Sequence, residues 1–146
     1  MCIRDRGKRI DDVQIFPGIV KTIQDLHAEG HNLFIVSSNS SHNVIKFLTF
    51  HKIEKNFVGV EGSVSLFSKN KALIKILKFN ALNPTETWYI GDEIRDIQAA
   101  KSVNVRNIAV TWGFTAKNIL SAQEPTALAD KPTDIMAILN DSSIMS

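Results

Sequence analysis

Four short apolar runs, each set apart from the next by a stretch with helical period, constrain this chain more than any other feature. They are Leu33-Phe34-Ile35-Val36, Phe57-Val58-Gly59-Val60, Thr87-Trp88-Tyr89-Ile90 and the segment from Arg106 to Thr111. An apolar run with no polar alternation reads as a strand buried on both faces, which is the habit of parallel sheets. Between the runs lie helical stripes. Ile19, Val20, Ile23 and Leu26 follow Pro17-Gly18 and stop at Gly30; Val44, Ile45, Phe47 and Leu48 form a second stripe. Leu73, Ile76 and Leu77 form a third, ended before Asn83-Pro84, and Ile94, Ile97, Ala99 and Ala100 a fourth. A helix around Ala116 to Ala122, a weak strand at Ala127 to Ala129 and a closing helix from Pro132 to Leu139 complete the order. Strands alternating with helices predict an open, doubly wound α/β parallel sheet with right-handed crossovers.

A chain of 146 residues, 44% of them hydrophobic, is long enough to bury one core and short for two, so one domain is expected. Residues 1–13 show neither period and read as an irregular leader; 14–141 read as the domain and 142–146 as a tail. Seventeen Lys and Arg against fifteen Asp and Glu give a formal charge of +2, too little to steer a polyanion, so no nucleic acid is implied. The single cysteine, Cys2, cannot form an internal disulfide, which fits a reducing cytoplasm. No apolar run approaches the roughly 18 to 20 residues that span a bilayer, and the opening Met-Cys-Ile-Arg-Asp-Arg has no apolar h-region. A cytoplasmic location without membrane contact is the expectation.

In an open parallel sheet the chemistry gathers beyond the carboxyl ends of the strands. The first run closes in Ser37-Ser38-Asn39-Ser40, the third in Gly91-Asp92 and the fourth in Thr111-Trp112-Gly113. Ser37 and Asp92 are therefore expected at one crevice. The most informative stretch is Gly91-Asp92-Glu93-Ile94-Arg95-Asp96, where two aspartates four apart straddle a strand end and the first turn of a helix. Paired carboxylates in that position suit a hard cation such as magnesium. The plainer reading of the same spacing makes Asp92 a helix N-cap and Asp96 a first-turn acid favoured by the helix dipole. His27, His31, His42 and His51 lack metal-ligand spacing and read as solvated. Trp88, inside a strand, reads as core, and Trp112 as a residue at the functional edge. Lys69, Lys71, Lys75 and Lys78 follow helical spacing and read mostly as a solvated face, with chemistry expected only of the first two.

The stretch Gly91 to Ala100 resembles the fourth motif of the haloacid dehalogenase (HAD) superfamily, in its phosphoglycolate phosphatase-like form. Leu33 to Asn39 resembles the second motif, a hydrophobic strand closed by Ser or Thr. Ser68-Lys69-Asn70-Lys71, with the helix to Lys78 and Asn83-Pro84 after it, resembles the lysine-bearing third motif. Val110-Thr111-Trp112-Gly113-Phe114 is similar to the family's strand and glycine turn after the fourth. The resemblance implies a Rossmann-like core and hydrolysis of a small phosphorylated metabolite, a phosphate monoester, through an aspartyl-phosphate, with Mg2+ as cofactor. Carried over by residue, Ser37, Ser38 and Asn39 would bind phosphate, and Lys69 or Lys71, with Lys69 preferred, would supply the cation. Asp92 would hold the metal, and Asp96 would be a second metal ligand or the carboxylate that orients the lysine.

The front departs from that pattern. Asp11-Asp12 are adjacent and follow no apolar strand, so the Asp-x-Asp nucleophile motif is not matched. The expectation is a fragment lacking the first strand and the cap domain, inactive as written, with residues 1–6 a foreign or misassembled leader. Exposed sheet edges are then expected to promote self-association. A noncatalytic α/β module that binds phosphate or metal is the alternative from another class. A receiver-type phosphoacceptor domain is disfavoured because no acidic pair and acceptor aspartate stand in the required places.

Overall fold

In a computed structural model the described residues are 16–141, so Asp11-Asp12, the leader at 1–13 and the tail at 142–146 lie outside them. The described chain divides after Val64 into two compact units. The strand pairing shows why: among the described residues β1 (Leu33–Val36) pairs with β2 (Phe57–Glu61), while β3 (Trp88–Gly91), β4 (Arg106–Val110) and β5 (Ala127–Ala129) form a separate sheet. Among the described residues no strand joins the two sheets.

In the first unit α1 (Ile19–Ala28) buries Ile19, Ile23 and Leu26, and α2 (Ser41–Phe50) buries Val44, Phe47 and Leu48. Ile45, expected on the second stripe, is half exposed, since the buried positions 44, 47 and 48 already fill one face. The pairing of β1 with β2 is parallel, Ile35 opposite Val60 and Val36 opposite Glu61. Ile35 and Val36 are both buried, as a strand covered on two faces requires.

In the second unit β3, β4 and β5 are parallel and in step, with Gly91 beside Ala109 and Ala109 beside Leu128. Their carboxyl ends therefore share one edge. The helix α3 (Lys69–Phe79) turns Ala72, Leu73, Ile76 and Leu77 inward, and α4 (Ile94–Ser102) turns Ile97, Ala99 and Ala100. The helix α5 (Lys117–Ala122) adds Leu120, which packs with Ile97 and Ala109, and α6 (Pro132–Leu139) adds Ile135. Two alanines at the helix–sheet contact allow close approach, because burial here depends on fit and not on side-chain size alone. The architecture is the parallel α/β arrangement expected, and each strand lies within a residue of its apolar run.

Candidate active site

The site in the second unit is built around one buried ion pair. Lys69 opens α3 and is only 4% exposed; its Nζ donates to Oδ1 of Asp96, which is 1% exposed. Glu93 Oε2 lies 3.8 Å from the same Nζ. A lysine at the first position of a helix faces the positive end of the dipole, and burial adds to that cost. Two carboxylates offset both. Lys71 is exposed, so the structure brings Lys69 and not Lys71 to the aspartate, whereas Lys71, Lys75 and Lys78 form the solvated face.

Asp96 accepts from four donors. Its Oδ1 takes Lys69 Nζ and, at 3.1 Å, the Tyr89 hydroxyl; its Oδ2 takes the backbone N–H of Asp92 and of Glu93, each at 3.0 Å. The carboxylate thus ties α4, β3, α3 and the intervening turn together. Glu93 is the N-cap of α4 and its side chain accepts from the Asp96 N–H, so the cap falls one residue later than the plain reading of Asp92. Asp92 is left half-buried at the strand end, with Oδ2 accepting from Phe114 N–H at 2.9 Å. A Cβ at Gly113 would sit 2.3 Å from Asp92 Oδ2, and one at Gly91 2.3 Å from Asp96 Oδ2. Both close approaches require glycine.

The same turn occurs a second time on this edge. After β5, Asp134 Oδ2 accepts the N–H groups of Asp130 and Lys131 at 3.0 and 3.2 Å. Here the lysine is exposed: Lys117 Nζ meets Asp130 Oδ2 at 3.0 Å, and Thr111 Oγ1 donates to Asp130 Oδ1 at 2.8 Å. Lys117 first, then Thr111, holds the Asp130 carboxyl below its ordinary value.

In the first unit Ser37 is 1% exposed at the end of β1. Its backbone N–H donates to Glu61 O at 2.9 Å and its carbonyl accepts from Val64 N–H at 3.0 Å, which fixes its place. The hydroxyl oxygen accepts the Asn39 N–H at 3.1 Å, and no acceptor for its own proton is found among the described residues. Ser38 is exposed and Asn39 half-buried in the same turn, and Ser40 caps α2 by accepting the Asn43 N–H at 3.2 Å.

Sequence reasoning missed Tyr89 and Glu93. The available signals were a hydroxyl-bearing ring inside an otherwise apolar strand and the Glu-x-x-Asp spacing of a capping box. Trp88 is half-buried with the Arg106 guanidinium 5.8 Å from its ring, not in the core as expected; Trp112 is half-buried. His27, His31 and His42 are exposed, while His51 packs 4.5 Å from the Phe47 ring. Among the described residues no group of three His, Cys, Asp or Glu surrounds a common point, and no helix is long and apolar enough to cross a membrane.

Residues 2–110 match the haloacid dehalogenase-like hydrolases, and the chain belongs to that family. The matched range begins at residue 2 and so takes in the segment read as a leader. A phosphoglycolate phosphatase of Synechococcus elongatus is 33% identical over 133 residues, covering 91% of this chain and 63% of that protein. Pyrophosphatase PpaX of Bacillus cereus is 26% identical, covering 88% of this chain and 61% of the relative. A haloacid dehalogenase-like hydrolase of Streptococcus pneumoniae superposes with a TM-score of 0.81 at 25% identity, over 90% of this chain and 62% of the other. The chain thus spans about 60% of the length of these relatives.

Proposed function

We propose that this chain carries the lysine and metal-binding part of a site that hydrolyses a small phosphate monoester, through transfer of the phosphoryl group to an aspartate and hydrolysis of the resulting aspartyl-phosphate. Lys69, buried between Asp96 and Glu93, carries the reading: a core lysine aimed by two carboxylates costs stability and serves no packing purpose. Its cationic head would balance charge on the phosphate.

The donor set suits magnesium in the manner that ion prefers, with one or two carboxylates and the rest water and phosphate oxygen. Asp92, half-buried with one oxygen fixed by the Phe114 N–H, would hold the ion; the other carboxylate, Asp96, has both oxygens engaged by protein donors and would orient Lys69. Bound there, Mg2+ would neutralise phosphoryl oxygens as charge moves. Ser37, whose hydroxyl proton has no acceptor among the described residues, would donate to a phosphoryl oxygen, with Ser38 and Asn39 beside it. Phosphoglycolate is the substrate suggested by the Synechococcus elongatus relative's name.

Titration with Mn2+ in place of Mg2+ tests the metal assignment. The amide signals of residues 91–93 and 113–114 should broaden first, Mg2+ should compete the effect away, and Asp92→Asn should abolish it while the fold is retained. Broadening centred elsewhere, or unchanged in Asp92→Asn, would remove Asp92 from the metal site.

A further inference from the structure

Arg95 is a cation at this edge with no carboxylate partner among the described residues. It stands between Asp92 and Asp96 in sequence, on the exposed side of the first turn of α4. Its guanidinium lies 4.8 Å from the centroid of the Phe67 ring, two residues ahead of Lys69. Phe67 is 80% exposed, so the ring does not serve the core. Among the described residues Arg95 makes no hydrogen bond or ion pair, although three acids stand within three positions of it, Asp96 among them and paired with Lys69. Glu93 is turned to Lys69 and to the Asp96 N–H, and Asp92 to the Phe114 N–H.

A guanidinium stacked on a ring face keeps its N–H edge directed outward, and the stack supplies the orientation that a free arginine would lose entropy to acquire. That edge matches a carboxylate bidentately. Lys69 differs, being countered by two carboxylates already. Of the two cations at the starts of α3 and α4, Lys69 is paired with carboxylates and Arg95 is not.

We propose that Arg95, held against Phe67, binds a carboxylate borne by the substrate, so that the edge selects phosphate monoesters whose short carbon chain ends in an acid. The inference rests on the phosphate-site reading above and adds the residue that discriminates among such esters.

The test is calorimetric titration of the chain with Mg2+ and two probes, 2-phosphoglycolate and ethyl phosphate, which lacks the carboxylate. At low salt 2-phosphoglycolate should bind about fivefold more tightly, the upper end for a solvent-exposed ion pair. Arg95→Gln should erase that ratio and leave ethyl phosphate unchanged. Phe67→Leu should reduce it, and raising the salt should shrink it. A ratio unaltered in Arg95→Gln, or an equal loss of both probes, would overturn the role of Arg95. Ethyl phosphate that binds the parent chain and not Asp92→Asn would still uphold the phosphate site; failure of both probes to bind the parent chain would sink the two readings together.

Discussion

Replacing Asp96 by alanine removes the acceptor for Lys69, for the Tyr89 hydroxyl and for two backbone N–H groups in one step. The dominant loss is the buried pair. Lys69 stays in the core with Glu93 3.8 Å away as its remaining partner, and breaking such a pair from one side costs about 3–5 kcal/mol. The turn adds about 1 kcal/mol for its lost capping bond. Against a total of about 5–15 kcal/mol for a domain, this is a large fraction. Urea unfolding should therefore show a shift of about 4–6 kcal/mol. Tyr89→Phe, which removes the hydroxyl's bond to Asp96 and leaves the Lys69–Asp96 pair in place, should cost less than Asp96→Ala. The informative comparison is the double variant Lys69→Met/Asp96→Ala. Removing both charges leaves no uncompensated ion, so the double variant should be more stable than Asp96→Ala alone. An additive double variant, or an Asp96→Ala loss under about 1 kcal/mol, would show that water reaches the lysine and that the pair is not a buried one.

Two further outcomes follow from the same edge. Gly113→Ala places a methyl 2.3 Å from the Asp92 carboxylate, so it should displace that side chain and weaken Mg2+ binding at least about tenfold, a loss of 1.4 kcal/mol, in the Mn2+ competition described above. For Asp130, the folded carboxyl titrates lower than the unfolded one because Lys117 and Thr111 favour the charged form. Its stabilising effect is therefore present above the ordinary aspartate value of about 3.9 and is lost as the pH falls through the depressed one. Asp130→Asn should flatten the acid limb of a stability–pH curve in that window alone, and an unchanged limb would deny the Lys117 contact any presence in solution.

The strands were legible because each is a dense apolar run, and a run of that kind has few other places to go. β1 coincides with Leu33 to Val36, and β5 with the weak strand expected at Ala127 to Ala129. Which strands pair with which was not legible in the local pattern, since pairing depends on edges that such a pattern does not encode. Within the site, Asp92 and Asp96 could be named from spacing but a lysine only from the family resemblance, and nothing in the sequence pattern decides between Lys69 and Lys71. Burial separates them: position 69 sits where α3 meets α4, and position 71 points to solvent. Tyr89 escaped for a related reason. Its ring satisfies the apolar pattern of β3, and only the three-dimensional path of α4 brings a carboxylate to its hydroxyl.

The repeated turn after β3 and β5 bears on how such strings are to be searched for. Asp-x-x-x-Asp is first a way of starting a helix, since the second carboxylate gathers the N–H groups that the turn leaves over, and it does so equally well at Asp96 and at Asp134. A pattern scan would flag both with the same force. What distinguishes the two turns is that a basic group from a distant helix is sunk against the far oxygen of the second acid at Asp96, where Lys69 stands. A lysine buried against Asp134 would accordingly give the β5 turn the same ion pair with no new aspartate.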